Sequence, residues 1–492
     1  MNSVNRKVFL PPLILILVTI LFSQINNNLF SKLISQTNQW ILVNFGWLFS
    51  WSSFLFLILL IAIYFSPFAK IKIGGQNATP LLSKSRWFAI SICTTIATGI
   101  LFWGCAEPLH HYASPPIDGI FPNSIQSRIF SISTLYMHWS FTPYAIYCVA
   151  GLAFAYNYYN KNLDFSVSSL IGINSAKFSH IIDIICLYAL VMGMSASLGA
   201  GIYSIIGGIE EVSGIKKSNF LIGLIGFAVI ATFILSAISG LQRGIKWLSS
   251  FNIIGFLILA FYIFSFGFPF EILNISLEGI KDYVGTFVQR STNIGSSIDQ
   301  QWRFDWSVFY WANWFAWAPI ASLFLGKIAK GYTVREFINF NLILPSLFAI
   351  IWMSIFSGSA LHLNEAQGGT LYATMLESGE ESVMYDVLSN ITLSEVTIPF
   401  SILLIFLSYV TAADSNISAM SSMSTKEVET QDHEPPILIK VLWGLVIGTL
   451  TYVMLSTKGL DGIRILSVLG GFPALFIVIG AGVVLIKKLV LK

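Results

Sequence analysis

The feature that most constrains this sequence is a series of long apolar stretches separated by short segments that carry most of the charge. A transmembrane helix needs about 20 predominantly apolar residues to cross the hydrocarbon core of a bilayer. Only 10% of the 492 residues are charged, whereas about a quarter are charged in a soluble domain. The sequence therefore predicts an all-α integral membrane protein with twelve transmembrane helices. These spans, numbered 1 to 12 in chain order, are predicted at residues 8–23, 47–65, 87–105, 128–156, 181–209, 219–239, 248–272, 304–325, 337–358, 396–422, 439–456 and 464–486.

The lysine and arginine residues indicate how the predicted spans are oriented. With the N-terminus in the cytoplasm, 18 of the 27 basic residues fall on the cytoplasmic side. Cytoplasmic loops carry such an excess of Lys and Arg, so we expect a multi-pass protein of the cell (inner or plasma) membrane with both termini cytoplasmic. One loop on the opposite side, residues 279–297, has the apolar spacing of an amphipathic helix that lies on the surface.

Composition and motif spacing disfavour several classes of protein. The net charge of +3 is spread over the loops, so no nucleic-acid partner is expected. No loop carries a nucleotide-binding glycine pattern or a hydrolytic triad spacing, which disfavours an ATP-driven pump and an enzyme with a cytosolic catalytic domain. The four cysteines lie in predicted spans without metal-ligand spacing, and the six histidines are scattered. We therefore expect no catalytic residue and no resident cofactor; a channel and a membrane-embedded enzyme are weaker alternatives.

The charge pattern also suggests an internal repeat. Spans 3 to 7 and spans 8 to 12 each form a block of five, and an odd number of spans inverts the topology of the second copy, as in many secondary transporters. The predicted divisions are 1–86 for the first two helices and a cytoplasmic loop, 87–272 for the first five-helix repeat, 273–303 for an amphipathic linker on the outer side, and 304–492 for the second repeat with a short tail.

Span 8 opens a stretch with an unusual density of tryptophan. Trp311, Trp314 and Trp317 recur every three residues, so their indoles share one side of a helix. Trp302 and Trp306 lie nearer the end of the span and are predicted in the membrane interface, where tryptophan collects. For the deeper rings the sequence leaves two interpretations open, which are the same interfacial belt or a buried aromatic site.

A second aromatic group lies in span 4. Trp139 and Tyr147 are about 80° apart around a helix and Tyr144 is about 140° from Trp139, so the three rings can share one broad face. Pro143 removes a backbone hydrogen bond and is expected to loosen the helix there. Two aromatic faces in one bundle can form a box. A box suits a quaternary ammonium group, which donates no hydrogen bond and is attracted to ring faces by about 0.5–2 kcal/mol per contact.

Several spans contain clusters of glycine and hydroxylated residues. Such clusters occur in span 3, in span 5 around Gly193–Gly201, and in span 10 around Ser408–Ser415. Small residues allow helices to pack closely, and they also occur where a helix is broken and its carbonyl groups bind a cation. The sequence leaves both interpretations open.

Six motifs resemble, in order, those of the betaine/carnitine/choline transporter (BCCT) family. The motifs are FWGCAEPLHHY at 102–112, HWSFTPYAIY in span 4, SASLGAG in span 5, ISGLQRGIKWLS at 238–249, FYWANWFAWAP followed by IAKGYTVREF in span 8 and beyond, and VTAADS in span 10. The resemblance covers nearly the whole chain beyond residue 47. It implies two N-terminal helices followed by a five-plus-five inverted repeat of the leucine-transporter type, alternating access, and a homotrimer in the lipid bilayer.

The resemblance also implies a substrate site. The family's aromatic box falls on six positions of this chain, which are Trp139, Tyr144, Tyr147, Asn313, Trp314 and Trp317. Tyr144 often stands as Trp in relatives and keeps a ring face. Asn313 is a departure, because the family has tryptophan there and an amide adds hydrogen-bonding groups instead of a ring. We expect either a box with a polar corner or a position 313 that faces a neighbouring helix.

Coupling to an ion is the second implication. Sodium-coupled members bind one ion between carbonyl groups of span 3 and paired hydroxyls of span 10. The corresponding candidates in this chain are Ile96, Thr98, Ser408, Thr411 and Ala412. Ala412 lacks the hydroxyl expected there, and sodium prefers several oxygen ligands. Sodium symport through a relocated site, sodium-independent exchange and proton coupling therefore stay open, and no other metal is expected.

Three ionisable residues lie in or next to the predicted spans. Asp414 and His138 have two interpretations each, and Glu107 has a single, structural one. Asp414 is expected to cap or pair within the fold, or to belong to the coupling network. Glu107 is expected just beyond span 3, at the outer mouth, where Glu107-Pro108 would fix a turn. His138, next to Trp139, is expected to be packed and hydrogen-bonded, with a role as proton carrier as the alternative.

Taken together, these features predict a secondary active transporter rather than an enzyme. Its expected substrates are quaternary ammonium compounds or related methylated zwitterions of the betaine, choline or carnitine type. The alternative is a transporter of the same fold for an amino-acid-like or sulfonium solute, working by sodium-independent exchange or proton coupling. The tails outside the first and last spans are short, so we do not expect regulation by the long charged termini with which some family members sense osmotic stress.

Overall fold

The protein is described by a computed structural model over residues 4–95, 99–173, 175–239, 242–295, 297–425 and 435–490. Within these residues the chain is helical apart from loops and three isolated β-bridges, which confirms the predicted all-α fold. The helices are α1 Arg6–Ile25, α2 Asn27–Phe65, α3 Lys84–Thr95, α4 Gly99–Ala113, α5 Ile125–Trp139, α6 Phe141–Lys161, α7 Ala176–Ser213, α8 Asn219–Ser239, α9 Gln242–Phe266, α10 Pro269–Thr292, α11 Gln300–Arg303, α12 Phe309–Lys327, α13 Val334–Ile338, α14 Leu344–Ala366, α15 Thr370–Ser378, α16 Val383–Ser389, α17 Ser394–Met423, α18 Ile437–Lys458 and α19 Leu460–Val490.

Many of these helices are long enough to cross a membrane. Among the described residues, eight helical segments have the required length and apolar composition, and the pair α9 and α10, bent by 103°, makes a ninth if it counts as one span. Short π-helical turns at Phe304–Val308 and Asn339–Ile343 join α11 to α12 and α13 to α14 into continuous segments. Span 4 is divided into two shorter helices, and residues 96–98 of span 3 lie outside the described residues, so the count of twelve and the inverted repeat stay predictions.

Two helices differ from their predicted bounds. Helix α2 begins at Asn27 rather than near residue 47, because the intervening residues mix polar and apolar side chains but contain no proline, and Asn26 caps the helix by accepting from the Leu29 N–H at 3.0 Å. The amphipathic helix α10 begins at Pro269 rather than at residue 279. Proline suits the first turn of a helix, and Pro269 directly follows the sharp bend after α9.

A buried arginine fixes α10 against α5. Arg290 donates to the Ser133 hydroxyl at 2.7 Å and to Thr134, and its guanidinium lies 4.5 Å from the centre of the Phe130 ring. Asp282 on the same helix lies 3.5 Å away as its charge partner. Burial lowers the pKa of Arg290 to about 10, so it stays charged at neutral pH. The amphipathic helix α10 is thereby joined to the segment that carries Trp139.

Span 4 is interrupted at Ser140. Helix α5 ends at Trp139 and α6 begins at Phe141, with Ser140 at φ −113° and ψ −117° between them. Pro143 has no N–H to donate to the Trp139 carbonyl, which accounts for an interruption one turn before the proline. Spans 5 and 10 differ, because α7 and α17 run through their small-residue clusters without a break.

Small residues bring the central helices close together. Helix α12 packs against α19, α6 and α7. A side chain at Gly471 of α19 would collide with the Ala312 backbone, and one at Gly201 of α7 would collide with the Tyr409 ring of α17. Close packing therefore explains these glycines, and it holds the tryptophan-rich helix at the centre of the bundle.

Candidate functional site

Four of the six predicted box residues form one buried group, named here the aromatic cluster: Trp139, Tyr144, Tyr147 and Trp314. Trp314 lies at its centre, with ring centroids 5.8 Å from Trp139, 5.1 Å from Tyr147 and 6.0 Å from Tyr144. The rings meet at interplanar angles of 81°, 70° and 52°, which are edge-to-face or tilted arrangements that aromatic pairs favour. Helices α5 and α6 supply three rings from either side of the Ser140 break, and α12 supplies the fourth.

The two indole groups of the aromatic cluster are fixed by hydrogen bonds. Trp314 Nε1 donates to the backbone carbonyl of His138 at 3.2 Å, and Trp139 Nε1 donates to Glu107 Oε2 at 3.1 Å. An indole has one donor and no acceptor, so both tryptophans are satisfied within the protein. The surface that they can offer to a ligand is the π face and the ring edge.

Trp317 lies outside the aromatic cluster. Its indole packs against Gly193 of α7, where an added side chain would come 3.2 Å from Nε1. It lines a cavity of about 20 Å³ together with Ser197, Tyr409 and Ala412. The cavity joins the small-residue motif of span 5 to that of span 10, so Trp317 is placed beside the predicted coupling region instead of beside Trp314.

Asn313 points toward another helix. Its Oδ1 accepts a hydrogen bond from the Ser467 hydroxyl of α19 at 3.1 Å, and the side chain is half-buried. This placement is the second of the two arrangements expected for position 313. The polar corner stays a prediction.

The candidates for ion coupling are only partly described. Ile96 and Thr98 lie outside the described residues. Thr411 donates its hydroxyl to carbonyl groups of its own helix, 2.9 Å from Leu407 and 3.0 Å from Ser408, while Ala412 lines the cavity beside Trp317. Whether these residues bind an ion stays a prediction.

Glu107 occupies a different position from the one predicted. It lies inside α4 and is fully buried, so the expectation of a turn at the outer mouth is wrong. The apolar count ends span 3 at residue 105, whereas the helix continues because buried partners satisfy its polar side chains. The spacing of Glu107 and His111, four residues apart on one helix face, is the sequence signal that could have indicated this.

Glu107 accepts hydrogen bonds from four side chains, and we name this group with its acceptor the carboxylate cluster: Glu107, His111, His138, Trp139 and Tyr310. Oε1 lies 2.6 Å from His138 Nδ1 and 3.3 Å from His111 Nε2, and Oε2 lies 2.6 Å from the Tyr310 hydroxyl in addition to the Trp139 contact. A carboxylate has about four lone-pair sites. All of them are filled, which favours the ionised form of Glu107.

The hydrogen bonds also assign the proton on His111. Trp302 Nε1 donates to His111 Nδ1 at 3.3 Å, and because an indole only donates, this nitrogen carries no proton. The proton therefore sits on Nε2, which faces Glu107. Trp302 and Trp306 were predicted in the interfacial belt, but Trp306 is buried with its ring 4.6 Å from that of His111.

A metal ion does not fit the carboxylate cluster as it is bonded. The ligand atoms of Glu107, His111 and His138 lie within 4.8 Å of one another, and two imidazoles with a carboxylate are common metal ligands. A metal on His111 Nε2 would require the proton to move to Nδ1, where Trp302 already donates. The side chains of the carboxylate cluster therefore form a hydrogen-bonded group rather than a metal site.

A further group of side chains covers the carboxylate cluster on the side of the predicted outer loops. The Arg464 guanidinium lies 4.9 Å from the Trp306 ring and 5.8 Å from that of Trp103. The His110 ring also lies 5.3 Å from that of Trp306, and His110 contacts Glu380 at 3.3 Å. We name Arg464, Trp306, His110 and Glu380 the outer closure, since they join α19, the segment preceding α12, α4 and the loop before α16.

The helices define a multi-pass membrane protein with an aromatic cluster buried at its centre. The sequence model described as "BCCT, betaine/carnitine/choline family transporter" matches residues 7–492. The chain belongs to this family of transporters, and it is not an enzyme.

Individual relatives are similar over most of their length. An ectoine/hydroxyectoine transporter of Virgibacillus pantothenticus is 27% identical over 96% of this chain and 94% of the relative. A probable glycine betaine transporter of Desulfitobacterium hafniense is 30% identical over 89% of this chain and 88% of the relative. The betaine/ectoine transporter LcoP of Corynebacterium glutamicum is 30% identical over 99% of this chain and 78% of the relative.

Proposed function

We propose that this protein is a secondary active transporter for quaternary ammonium compounds or related methylated zwitterions, which it binds at the aromatic cluster and moves by alternating access. The observation that carries the proposal is the convergence of Trp139, Tyr144 and Tyr147 on Trp314. Relatives named as betaine transporters support the substrate class. The natural substrate is then of the betaine, choline or carnitine type.

The chemistry of the aromatic cluster suits a methylated cation. Such a cation binds within about 6 Å of a ring centroid and needs no hydrogen-bond acceptor. The indole N–H groups of Trp139 and Trp314 are already bonded inside the protein, so these two rings offer their surface without a free donor. The four rings now contact one another, and substrate binding is expected to separate Trp314 from the rings of α5 and α6.

The proposal includes the architecture implied by the family. It comprises twelve spans with a five-plus-five inverted repeat, divided at 1–86, 87–272, 273–303 and 304–492. We also propose that the protein lies in the plasma membrane with both termini in the cytoplasm, and that it forms a homotrimer. Energy comes from a coupling ion or from exchange, with Ile96, Thr98, Ser408, Thr411 and Ala412 as candidate residues for sodium.

A second candidate substrate is an ectoine-type solute, a cyclic amino-acid derivative. Two of the relatives carry ectoine in their names, and a ring in place of three methyl groups would still pack against indole faces. Tyr144, which is often tryptophan in the family, supplies a hydroxyl beside Trp314 at which a more polar solute could bind.

Uptake into proteoliposomes tests the proposal. Labelled glycine betaine, choline, carnitine and ectoine are compared with and without a sodium gradient. Trp314→Ala is expected to reduce uptake of the preferred substrate at least about tenfold, because it removes the central ring. Trp40→Ala, at an exposed position of α2, is the matched control and should keep wild-type uptake. Unchanged uptake by Trp314→Ala would contradict the aromatic site, and uptake that is independent of sodium would exclude sodium symport.

A further inference from the structure

The carboxylate cluster contains one group that can change its charge without losing a hydrogen bond. His138 Nδ1 faces Glu107 at 2.6 Å, and its Nε2 lies 2.9 Å from the Ser307 hydroxyl. A serine hydroxyl either donates or accepts. It can donate to a neutral His138, or accept from a protonated one after rotating. His111 lacks this freedom, because Trp302 only donates to it.

We propose that His138 with Glu107 is a proton-binding site linked to the aromatic cluster, at which a proton and the cationic group of the substrate compensate the same buried carboxylate charge. This inference rests on the proposed function. Glu107 and His138 are both fully buried, so an uncompensated carboxylate there is costly. Either cation relieves that cost.

Two hydrogen bonds connect the proton site to the substrate site. Glu107 accepts from the Trp139 indole, and the His138 backbone carbonyl accepts from the Trp314 indole. A substrate cation on the face of Trp139 would be separated from the Glu107 carboxylate by that one indole ring, because the indole N–H donates to Glu107. Two charges on either side of one ring interact strongly where water is excluded. Protonated His138 therefore opposes cation binding, and neutral His138 favours it.

The other titratable groups that face His138 do not take over this role. His111 is held as a neutral donor, and the Tyr310 hydroxyl donates to Glu107 while its ring stacks on His138 at 4.6 Å. Arg290 of α10 adds a fixed positive charge on the α5 side. The outer closure contributes three further charged or titratable groups: His110, Glu380 and Arg464. His110 acts on His111 and Arg464 acts on Tyr310 only from a distance, while Glu380 pairs with His110. The geometry thus places the mobile proton on His138.

Binding measurements on the detergent-solubilised full chain test the inference. The dissociation constant for glycine betaine and for choline is measured from about pH 5.5 to about pH 8.5, the range in which histidine titrates. Affinity is expected to fall on the order of tenfold as pH decreases across this range, because proton and substrate oppose each other. Calorimetry in two buffers with different ionisation enthalpies should show release of a fraction of a proton on binding.

Two glutamine variants separate His138 from other histidines. His138→Gln can donate to Glu107 but cannot gain a charge, so its affinity should not vary with pH. His362→Gln is the control, since that ring packs on Phe268 at 4.4 Å, outside the carboxylate cluster, and it should keep the pH dependence. If His138→Gln does not fold, the calorimetry on the unaltered chain decides.

The outcomes distinguish this inference from the proposed function. If glycine betaine or choline binds with an affinity that is constant with pH and releases no proton, the proton site is wrong and the substrate class stands. Tighter binding at low pH, or unchanged pH dependence in His138→Gln, likewise overturns it. If none of the quaternary ammonium compounds binds at any pH, the proposed function fails and this inference fails with it.

Discussion

Asn313 and Trp314 are neighbours in the sequence, yet they point toward different parts of the protein. Trp314 faces α5 and α6 and joins the aromatic cluster, while Asn313 accepts a hydrogen bond from Ser467 of α19. Successive residues on a helix differ by about 100° in direction, so a single substitution at either position has a separate consequence. The family difference at 313 therefore bears on helix packing in this structure.

We expect Asn313→Ala and Ser467→Ala to destabilise the protein through the same lost hydrogen bond. Their combined effect should fall short of additivity by about 0.5–1.5 kcal/mol. Melting temperatures of the two single variants and the double variant measure this coupling. The ranking of affinities for betaine, choline and ectoine should stay as in the unaltered protein. A ranking changed by Asn313→Ala but not by Ser467→Ala would instead support the polar corner.

Residue roles were predictable to different degrees. Periodicity and the family resemblance selected Trp139, Tyr144, Tyr147 and Trp314, and the structure brings these four rings together. That they bind a substrate stays a prediction. The spacing of Glu107 and His111 could have indicated that Glu107 lies inside a helix, but it does not indicate that Glu107 is fully buried. Its four partners come from three different parts of the chain, and only the tertiary fold brings them to one carboxylate.

At the scale of elements, the division of span 4 at Ser140 determines how the rings converge. Without the interruption, Trp139 and Tyr144 would lie about 140° apart on one continuous helix. With it, both lie beside Trp314, at 5.8 Å and 6.0 Å. The interruption thus allows Trp139 and Tyr144, which a continuous helix would direct to different sides, to contact Trp314 together.

Restoring the missing backbone donor should separate Trp139 from Trp314. Pro143→Ala supplies an N–H for the Trp139 carbonyl and favours a continuous helix from α5 into α6. We expect affinity for the preferred substrate to fall about tenfold, since Trp139 would turn away from Trp314, while the melting temperature stays the same or rises. The control is Pro399→Ala in the exposed first part of α17. Wild-type affinity in Pro143→Ala would show that the interruption is not needed for binding.

The helices themselves were largely predictable, for a physical reason. A membrane requires about 20 apolar residues per crossing, and so predicted span 6 coincides with α8 Asn219–Ser239 and span 10 lies within α17 Ser394–Met423. That criterion does not detect helical turns in which polar residues are frequent. It therefore missed the first half of α2 and the extension of α4 through Glu107.

For the whole molecule, the proposed alternating access requires that the proposed substrate site be covered on one side at a time. We propose that the outer closure is one such cover. Arg464 contacts Trp306 from α19, and His110 of α4 joins Trp306 to Glu380 in the loop before α16. These groups come from both predicted five-helix repeats, so movement of one repeat against the other would separate them.

Weakening the outer closure should expose the interior from the outer side. Arg464→Ala removes the cation from the face of Trp306, a contact worth about 0.5–2 kcal/mol, which corresponds to roughly a twofold to thirtyfold shift toward an open state. In a variant whose single cysteine is Cys105, buried on α4, a membrane-impermeant maleimide added outside should react faster by a similar factor. Lys216→Ala removes an exposed cation elsewhere on the outer side and should leave the rate unchanged. Equal labelling rates in Arg464→Ala and the unaltered background would mean that Arg464 does not hold the outer side closed.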